Sequence, residues 1–395
     1  MIKRDFTQHN EEAKAVWDAY LAGRPIRVPV ILGTSARYYL YDEAINPKGK
    51  ITFQDYSEDP MVMMDVQLRA AEERAYTVAL CCDDQAGPPE YYKVGVDLLR
   101  YFDAAFFGSK IEYREGQMPD TVPLLGGDRK NLLFDRGLPD PLTGGIFAYA
   151  HQLHDTMARL IQAGFTFRGK PVKLAPFGTG HDGPLTVATS LRGQELYLDF
   201  YEDPDYVRQL LDFIVEGTVD RIKAHLRFFG VPESSDEWGS PDLDRADRIE
   251  FADDAVQMIS TDMLREFVLP AHKKLKRQLT TAEQIGIHLC GNASRHFKLL
   301  RDELGTYSFD TGFPIDFAWV RQELGPQVQI LGGPQVPLLL RGTPDEVFAE
   351  TSRILKSGIM VGGRFILRDA NALAPRTPLV NLVALYQAAK ELGVY

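Results

Sequence analysis

Two side chains with metal-binding chemistry stand two residues apart in the apolar run IGIHLC, at His288 and Cys290. Side chains alternate along a strand, so residues at this spacing face the same side. An imidazole nitrogen beside a thiolate sulfur suits Zn²⁺, which favours such ligands in a tetrahedral shell. A buried cysteine next to a hydrogen-bonded histidine would give the same pattern. A zinc site also needs a third ligand, which would be an acid, an amide, or one of the adjacent Cys81 and Cys82.

Acidic side chains follow other apolar runs in the same way. Asp253 and Asp254 end the run RIEFADD, and Asp310 lies in TYSFDT. The carboxyl ends of the strands in a parallel barrel form one mouth, and catalytic groups sit there. We therefore expect Asp253, Asp254 and Asp310 to be catalytic residues of an enzyme, which transfer a proton or stabilise charge.

A second set of residues has the chemistry of substrate contacts, because a pocket lined by aromatic side chains suits an aromatic or flat apolar substrate. The candidates for substrate binding are Arg37, Tyr38, Tyr39, His181, Trp238 and Phe313. His181 belongs to residues 178–183, which spell G-x-G-x-x-G. Because Pro184 follows at once and the motif lies mid-chain, it predicts a tight loop at the mouth rather than a dinucleotide site.

Apolar runs alternate with helical patterns from residue 145 onward, and these elements must position the candidate residues. Strands are predicted at PVKLAPF, RIEFADD, IGIHLC, TYSFDT, QVQILGG and MVGGRFIL, and two earlier runs, RVPVIL and YTVALCC, bring the total to eight. Buried strands separated by helices predict βαβ units and a parallel sheet. Eight such units favour an α/β fold of the (β/α)₈ TIM barrel type.

The rest of the chain is assigned around this barrel. Residues 1–25 predict an N-terminal helical extension, whose helical pattern runs from Glu11 to Ala22 and ends at Gly23. Residues 26–395 form a single predicted barrel domain. Within it, residues 40–145 are rich in Gly, Pro and Asp and predict elaborated early loops that cover the mouth.

Composition excludes several classes of protein. The 395 residues include 44 Lys and Arg against 55 Asp and Glu, and the net charge of −11 lacks the basic surface that nucleic acid requires. No apolar run reaches the roughly 18–20 residues of a membrane span. The N-terminal residues contain no apolar segment of a secretion signal. Three cysteines without a disulfide pattern indicate a reduced protein, which we expect to be cytoplasmic.

Several stretches, taken in order, resemble the superfamily of uroporphyrinogen decarboxylases and corrinoid (cobalamin)-dependent methyltransferases. The matching stretches are GPLTVATSLRGQELYLDFYEDPDYVRQLLDF, ISTDMLREFVLPAHKKL, HLCG, ILGGPQVPLLLRGTPDEV and APRTPLVNLVAL. They span roughly residues 145–395, with weaker matches near RVPVIL and residues 55–120. Members of this superfamily are (β/α)₈ barrels, which agrees with the predicted fold.

Two branches of this superfamily compete for the chain. The decarboxylases carry Arg-x-x-x-Arg-Tyr, whose arginines hold substrate carboxylates, whereas this chain has Gly33 at the first arginine position and keeps only Arg37 and Tyr38. They use no metal and lack His-x-Cys. The methyltransferase branch does have His-x-Cys, as two zinc ligands, and its thiol-methylating members add a later cysteine before Thr-Pro, where this chain has Asn371.

The methyltransferase branch implies zinc on His288 and Cys290, with Asp253 or Asp254 completing an oxygen-richer shell. It also implies a corrinoid carried by a partner protein. We expect an O-demethylase component that moves a methyl group from a small methyl ether, such as a methoxylated aromatic, to the Co(I) corrinoid, with zinc as Lewis acid.

Three alternatives stay open at this point. One is a metal-free decarboxylase that uses Arg37 and an aspartate, and another is a methylcobalamin:thiol or tetrahydrofolate methyltransferase. The third is a non-catalytic binder of a corrinoid or tetrapyrrole. The expected partners are a corrinoid protein and a small-molecule methyl donor, with no nucleic acid and no membrane, and a homodimer is compatible with each alternative.

Overall fold

The computed structural model describes residues 6–99, 101–231 and 250–395, and leaves the side chains of Ala36, Arg37 and Glu250 undescribed. The expectation at Trp238, and that for the Arg37 side chain, therefore lie outside the described residues. Among the helices described, none has the length and apolar character needed to cross a membrane.

Short strands make up the sheets of the described chain. They are β1 (Val30–Ile31), β2 (Tyr92–Val94), β3 (Ile111–Glu112), β4 (Asp120–Thr121), β5 (Thr166–Phe167), β6 (Lys170–Leu174), β7 (Glu250–Ala252), β8 (Ile285–Leu289), β9 (Thr306–Thr311), β10 (Gln329–Gly332) and β11 (Phe365–Arg368).

Helices separate these strands along the chain. They are α1 (Thr7–Leu21), α2 (Ala36–Leu40), α3 (Phe53–Glu58), α4 (Pro60–Tyr76), α5 (Phe102–Phe106), α6 (Leu132–Arg136), α7 (Phe147–Gln162), α8 (Pro184–Arg192), α9 (Glu195–Glu202), α10 (Pro204–Phe229), α11 (Thr261–Met263), α12 (Leu269–Leu279), α13 (Phe297–Leu304), α14 (Phe317–Leu324), α15 (Val336–Arg341), α16 (Pro344–Ile354) and α17 (Leu379–Leu392).

The largest sheet has six parallel strands in the order β1-β11-β10-β9-β8-β7. A second sheet pairs β2 with β6 in parallel and adds β5 in antiparallel orientation. A parallel bridge between Asp182 and Ala252 links the loop after β6 to β7. The α/β class with a parallel sheet is therefore confirmed. No ladder among the described residues joins β1 to β2 or β6 to β7, so closure into an eight-stranded barrel stays a prediction.

The predicted strand at YTVALCC is wrong. Helix α4 continues to Tyr76, and Val78–Cys81 form one turn of 3₁₀ helix. Cys81 in this turn and Cys82 directly after it are both buried. An apolar run of this length does not distinguish a buried helical turn from a buried strand. The strand that pairs with β6 comes later, at β2.

Side-chain caps fix where several helices begin. Asp203 accepts a hydrogen bond from the Tyr206 backbone N–H at 3.2 Å, and Pro204 occupies the first turn of α10, where a missing N–H costs nothing. Thr343 and Glu346 form a reciprocal capping box at the start of α16. Gly230 ends α10 in the left-handed conformation.

Three histidines surround Phe177, just after β6. The ring centroids of His151 and His154 on α7 and of His225 on α10 lie 4.9, 5.5 and 5.4 Å from that of Phe177. A Cβ atom on Gly178 would come within 2.5 Å of the His225 ring, so only glycine fits there. Burial lowers the pKa of all three histidines, and with the nearby Arg221 charge it lowers that of His225 to about 4.

Acidification should destabilise the fold through His225. Its pKa in the folded chain, about 4, lies below its ordinary value of 6.5, so the unfolded chain binds more protons between these pH values. The free energy of unfolding should therefore fall as the pH drops from 6.5 towards 4. Urea unfolding at pH 7.5 and pH 5 should show that the wild type loses about 1–2 kcal/mol more than His225→Phe. Equal losses in the two proteins would contradict this assignment.

Candidate metal centre

The register of three parallel strands brings the candidate residues together. Ala252 of β7 lies beside His288 of β8, and His288 lies beside Asp310 of β9. Cys290, two residues after His288, continues on the same side because side chains alternate along a strand. Asp254 begins a 3₁₀ turn just after β7, and its carboxylate lies beside Cys290, whose backbone N–H it accepts. The ends of these strands therefore place an imidazole, a thiol and two carboxylates around one point.

One cluster of side chains, formed by Asp254, His288 and Cys290, has the chemistry of a metal site. Their ligand atoms lie within 4.8 Å of one another. His288 Nε2 is 3.0 Å from Cys290 Sγ and 3.8 Å from Asp254 Oδ1. Ligands of a tetrahedral zinc ion are roughly 3.5 Å apart, and nitrogen, sulfur and carboxylate oxygen are the donors it takes. The three residues therefore fit zinc.

Asp310 and Arg368 orient the imidazole of His288. Its Nδ1 atom hydrogen-bonds Asp310 Oδ2 at 2.7 Å, which leaves Nε2 towards the cluster. Arg368 donates to the same oxygen at 2.6 Å. Burial opposes protonation of His288, but its hydrogen bonds to Asp310 and Cys290 outweigh this and raise the pKa to about 11. Burial also opposes ionisation of Asp310, yet Arg368 and His288 keep its pKa below the ordinary value. The cluster therefore favours a positive charge at Nε2.

Asp253 has different partners from its neighbour Asp254. Its fully buried carboxylate accepts hydrogen bonds from the backbone and hydroxyl of Thr186 at 2.7 and 2.8 Å, and pairs with His272 Nε2 at 2.6 Å. These contacts tie β7 to α8 and α12. Asp254 Oδ1 instead accepts the backbone N–H of Cys290 at 2.7 Å. Of the two predicted catalytic acids, Asp254 is thus the one that faces the cluster.

Sequence reasoning missed the roles of two residues at the end of β11. The Asn371 side-chain amide nitrogen donates to Cys290 Sγ at 3.1 Å. Arg368 donates to the main-chain carbonyl oxygen of Asn371 and to Asp310. The signal available was position alone, because Arg368 comes directly after the predicted run MVGGRFIL. The sequence could not show that its guanidinium reaches across to β9.

Glycines let the loops after β8 and β9 touch. A Cβ atom on Gly312 would lie 2.5 Å from the Gly291 nitrogen and 2.8 Å from Cys290 Cα. Gly291 itself has a φ of 66°, in the left-handed region that favours glycine, and a Cβ there would collide with Gln257. The backbone that carries the Cys290 thiol is therefore held by direct backbone contact.

The other predicted substrate residues with described side chains have separate ring partners. Tyr38 and Tyr39 are buried, with ring centroids 5.0 Å apart. His181 stacks on Phe251 with a centroid distance of 5.7 Å, and burial together with the Arg221 charge lowers its pKa to about 4. Phe251 precedes Ala252, so His181 lies on the side of β7 that Asp253 faces. Phe313 is half-buried, three residues after Asp310.

Comparison with known proteins finds a family match in the C-terminal part of the chain. Residues 243–392 match the family described as uroporphyrinogen decarboxylase (URO-D). The resemblance inferred from the sequence is therefore confirmed over this part of the chain.

Individual relatives are methyltransferases by name. The chain is 28% identical over 220 residues to a methylated-thiol–coenzyme M methyltransferase of Methanosarcina mazei, across 53% of this chain and 52% of that protein. It is 26% identical over 220 residues to the methylcobamide:CoM methyltransferase MtaA of Methanosarcina barkeri, across 55% and 58%. The chain thus spans a little over half the length of the curated relatives it matches.

A solved structure extends the likeness in fold. A methyltransferase from Methanosarcina mazei superimposes with a TM-score of 0.63 at 20% identity, over 96% of this chain and 98% of that one. At this identity the comparison establishes a shared fold over nearly the whole chain.

Replacing each of the two adjacent aspartates by asparagine, in separate variants, should distinguish an effect on metal binding from an effect on stability. Asp254→Asn should weaken zinc binding at least about tenfold, because it removes an anionic ligand and not merely a supporting contact. Asp253→Asn should instead lower the free energy of unfolding by about 3 kcal/mol, because an amide cannot accept from both Thr186 and His272. Competition with a chromophoric zinc chelator and urea unfolding measure the two effects. The opposite pattern would reverse the roles assigned to this pair.

Proposed function

We propose that this chain is a corrinoid-dependent methyltransferase that takes a methyl group from a small methyl ether, such as a methoxylated aromatic compound, and passes it to the corrinoid of a partner protein. The observation that carries the proposal is the convergence of Asp254, His288 and Cys290 at the strand ends of a URO-D family domain. The printed names of the relatives, which are methyltransferases, support the same class.

Three residues of this chain would hold zinc in the proposed site. His288 would bind through Nε2 and Cys290 through Sγ, while Asp254 would supply an oxygen. Zinc held there would supply a Lewis acid for the ether oxygen. Asp310 and Arg368 keep the imidazole in the tautomer and orientation that ligation needs, and the buried Asp253 fixes the strand end from the other side.

The proposed reaction has one demanding requirement. The bond between the methyl carbon and the ether oxygen breaks, its electron pair stays on oxygen, and the Co(I) corrinoid of the partner provides the electron pair for the new bond to carbon. An alkoxide or phenoxide is a poor leaving group, so charge that develops on oxygen must be stabilised. Asp310, which Arg368 and His288 keep ionised, would balance cationic charge at the site, and Asp254 would do so as an anionic ligand.

Substrate contacts are proposed from the aromatic residues near the strand ends. Tyr38, Tyr39 and Phe313 are the candidates among residues whose side chains the structure describes, with Arg37 and Trp238 as further candidates. A flat aromatic ring bearing a methoxy group would match the apolar surfaces of the aromatic side chains among them.

We also propose that the eight parallel strands β1, β2 and β6–β11 close into a barrel. The bridge between Asp182 and Ala252 supports this closure.

A second function is favoured by the names of the relatives. Two of them are methylcobamide:CoM methyltransferases, which suggests the alternative in which the methyl group leaves the corrinoid for a thiol. In that case the metal site would activate the acceptor thiol instead of an ether oxygen. An assay that begins with a methylated corrinoid protein and a thiol distinguishes this direction from the proposed one.

Removing Cys290 tests the proposal directly. Cys290→Ala should lose stoichiometric zinc and methyl transfer from a panel of methyl ethers to a Co(I) corrinoid protein, because the site keeps only two ligands. Cys81→Ala is the matched control, since Cys81 is a buried cysteine outside the cluster, and should retain both. Elemental analysis and the visible spectrum of the corrinoid give the two readouts. A Cys290→Ala protein with wild-type zinc content and methyl transfer would contradict the proposed function.

A further inference from the structure

We infer that Asn371 is a positioning residue of the metal centre, which holds the Cys290 thiolate by a hydrogen bond and limits the ligand set to a single sulfur. The inference deepens the proposed function and rests on it, because it takes the cluster of Asp254, His288 and Cys290 as the zinc site. It concerns which substrate atom such a site would favour.

The contact itself shows how Asn371 acts. Its amide nitrogen lies 3.1 Å from Cys290 Sγ, so the amide donates an N–H to the sulfur. An amide nitrogen that donates in this way has no lone pair for a metal. The side chain therefore reaches the sulfur ligand through an atom that does not itself bind a metal. An N–H bond to a thiolate also withdraws electron density from the sulfur.

A network of hydrogen bonds holds Asn371 next to Cys290. Arg368 donates to the main-chain carbonyl oxygen of Asn371 through one guanidinium nitrogen and to Asp310 through another, so it holds the Asn371 backbone rather than its side chain. Asp310 in turn binds His288 Nδ1, and His288 Nε2 lies 3.0 Å from Cys290 Sγ. A single guanidinium thus supports both ligands, the nitrogen through Asp310 and the sulfur through Asn371.

The number of anionic ligands decides what this site can attract. One thiolate and one carboxylate formally balance a divalent cation, and a neutral imidazole adds nothing. A second thiolate at position 371 would leave the site negative and softer. With Asn371 the centre stays neutral and retains more electrophilic character towards a neutral oxygen. A centre with this charge suits the polarisation of a neutral ether oxygen, which is the substrate atom of the proposed function.

Cobalt substitution tests the ligand set without an activity assay. The Co²⁺ protein should show a near-ultraviolet charge-transfer band of one thiolate, and Asn371→Cys should raise its intensity about twofold and tighten metal binding at least about tenfold. Asn371→Ala should keep the one-thiolate intensity but move the band to lower energy, because the sulfur loses its hydrogen bond. Cys290→Ala should abolish the band. Position 371 is half-buried and both replacements are smaller than Asn, so we expect the variants to fold.

Each result bears on a different claim. An Asn371→Cys protein that keeps the one-thiolate intensity would show that position 371 cannot reach the metal, and would overturn the inference while the metal site stands. An unchanged band in Asn371→Ala would overturn the role of the hydrogen bond. A wild-type protein with no thiolate band would overturn both the inference and the zinc site of the proposed function.

Discussion

The register of β7, β8 and β9 determines which side chains can meet at this site. A shift of β8 by one residue would turn His288 and Cys290 to the opposite side, because the side-chain period of a strand is two. Every residue of β8 is buried, so such a shift would also bring Ile287 to the polar cluster. The apolar residues of β8 must stay buried, and this requirement fixes the side of the strand on which the His288 imidazole lies.

One buried carboxylate accepts hydrogen bonds from two side chains of this site. Asp310 accepts hydrogen bonds from His288 and from Arg368 at the same oxygen atom, and a buried carboxylate persists only when it is paired in this manner. The same logic applies on the other side of β7, where Asp253 is paired with His272 and capped by Thr186. Two adjacent acids thus have different roles: Asp253 packs the end of β7 against α8 and α12, and Asp254 faces the proposed metal cluster.

Much of this architecture was predictable from local patterns. The buried strands β8 and β9 coincide with the predicted runs IGIHLC and TYSFDT, and His288 and Cys290 share a side because strands alternate. In RIEFADD the same alternation predicts that Asp253 and Asp254 face different sides. Which of the two faces His288 is clear only once the partner strand is known. The roles of Arg368 and Asn371 depend on contacts between strands far apart in sequence, and no local pattern encodes these. The strand prediction at YTVALCC was wrong because α4 extends to the first residue of this run.

The contact between the loops after β8 and β9 has a consequence for how this chain can change over evolution. Gly312 adds no ligand and removes none, yet any side chain there would press on the backbone of Cys290. A mutation at position 312 would therefore act on the proposed metal centre from the neighbouring loop. The geometry of the Cys290 thiol thus depends on the absence of a side chain at a position that supplies no ligand.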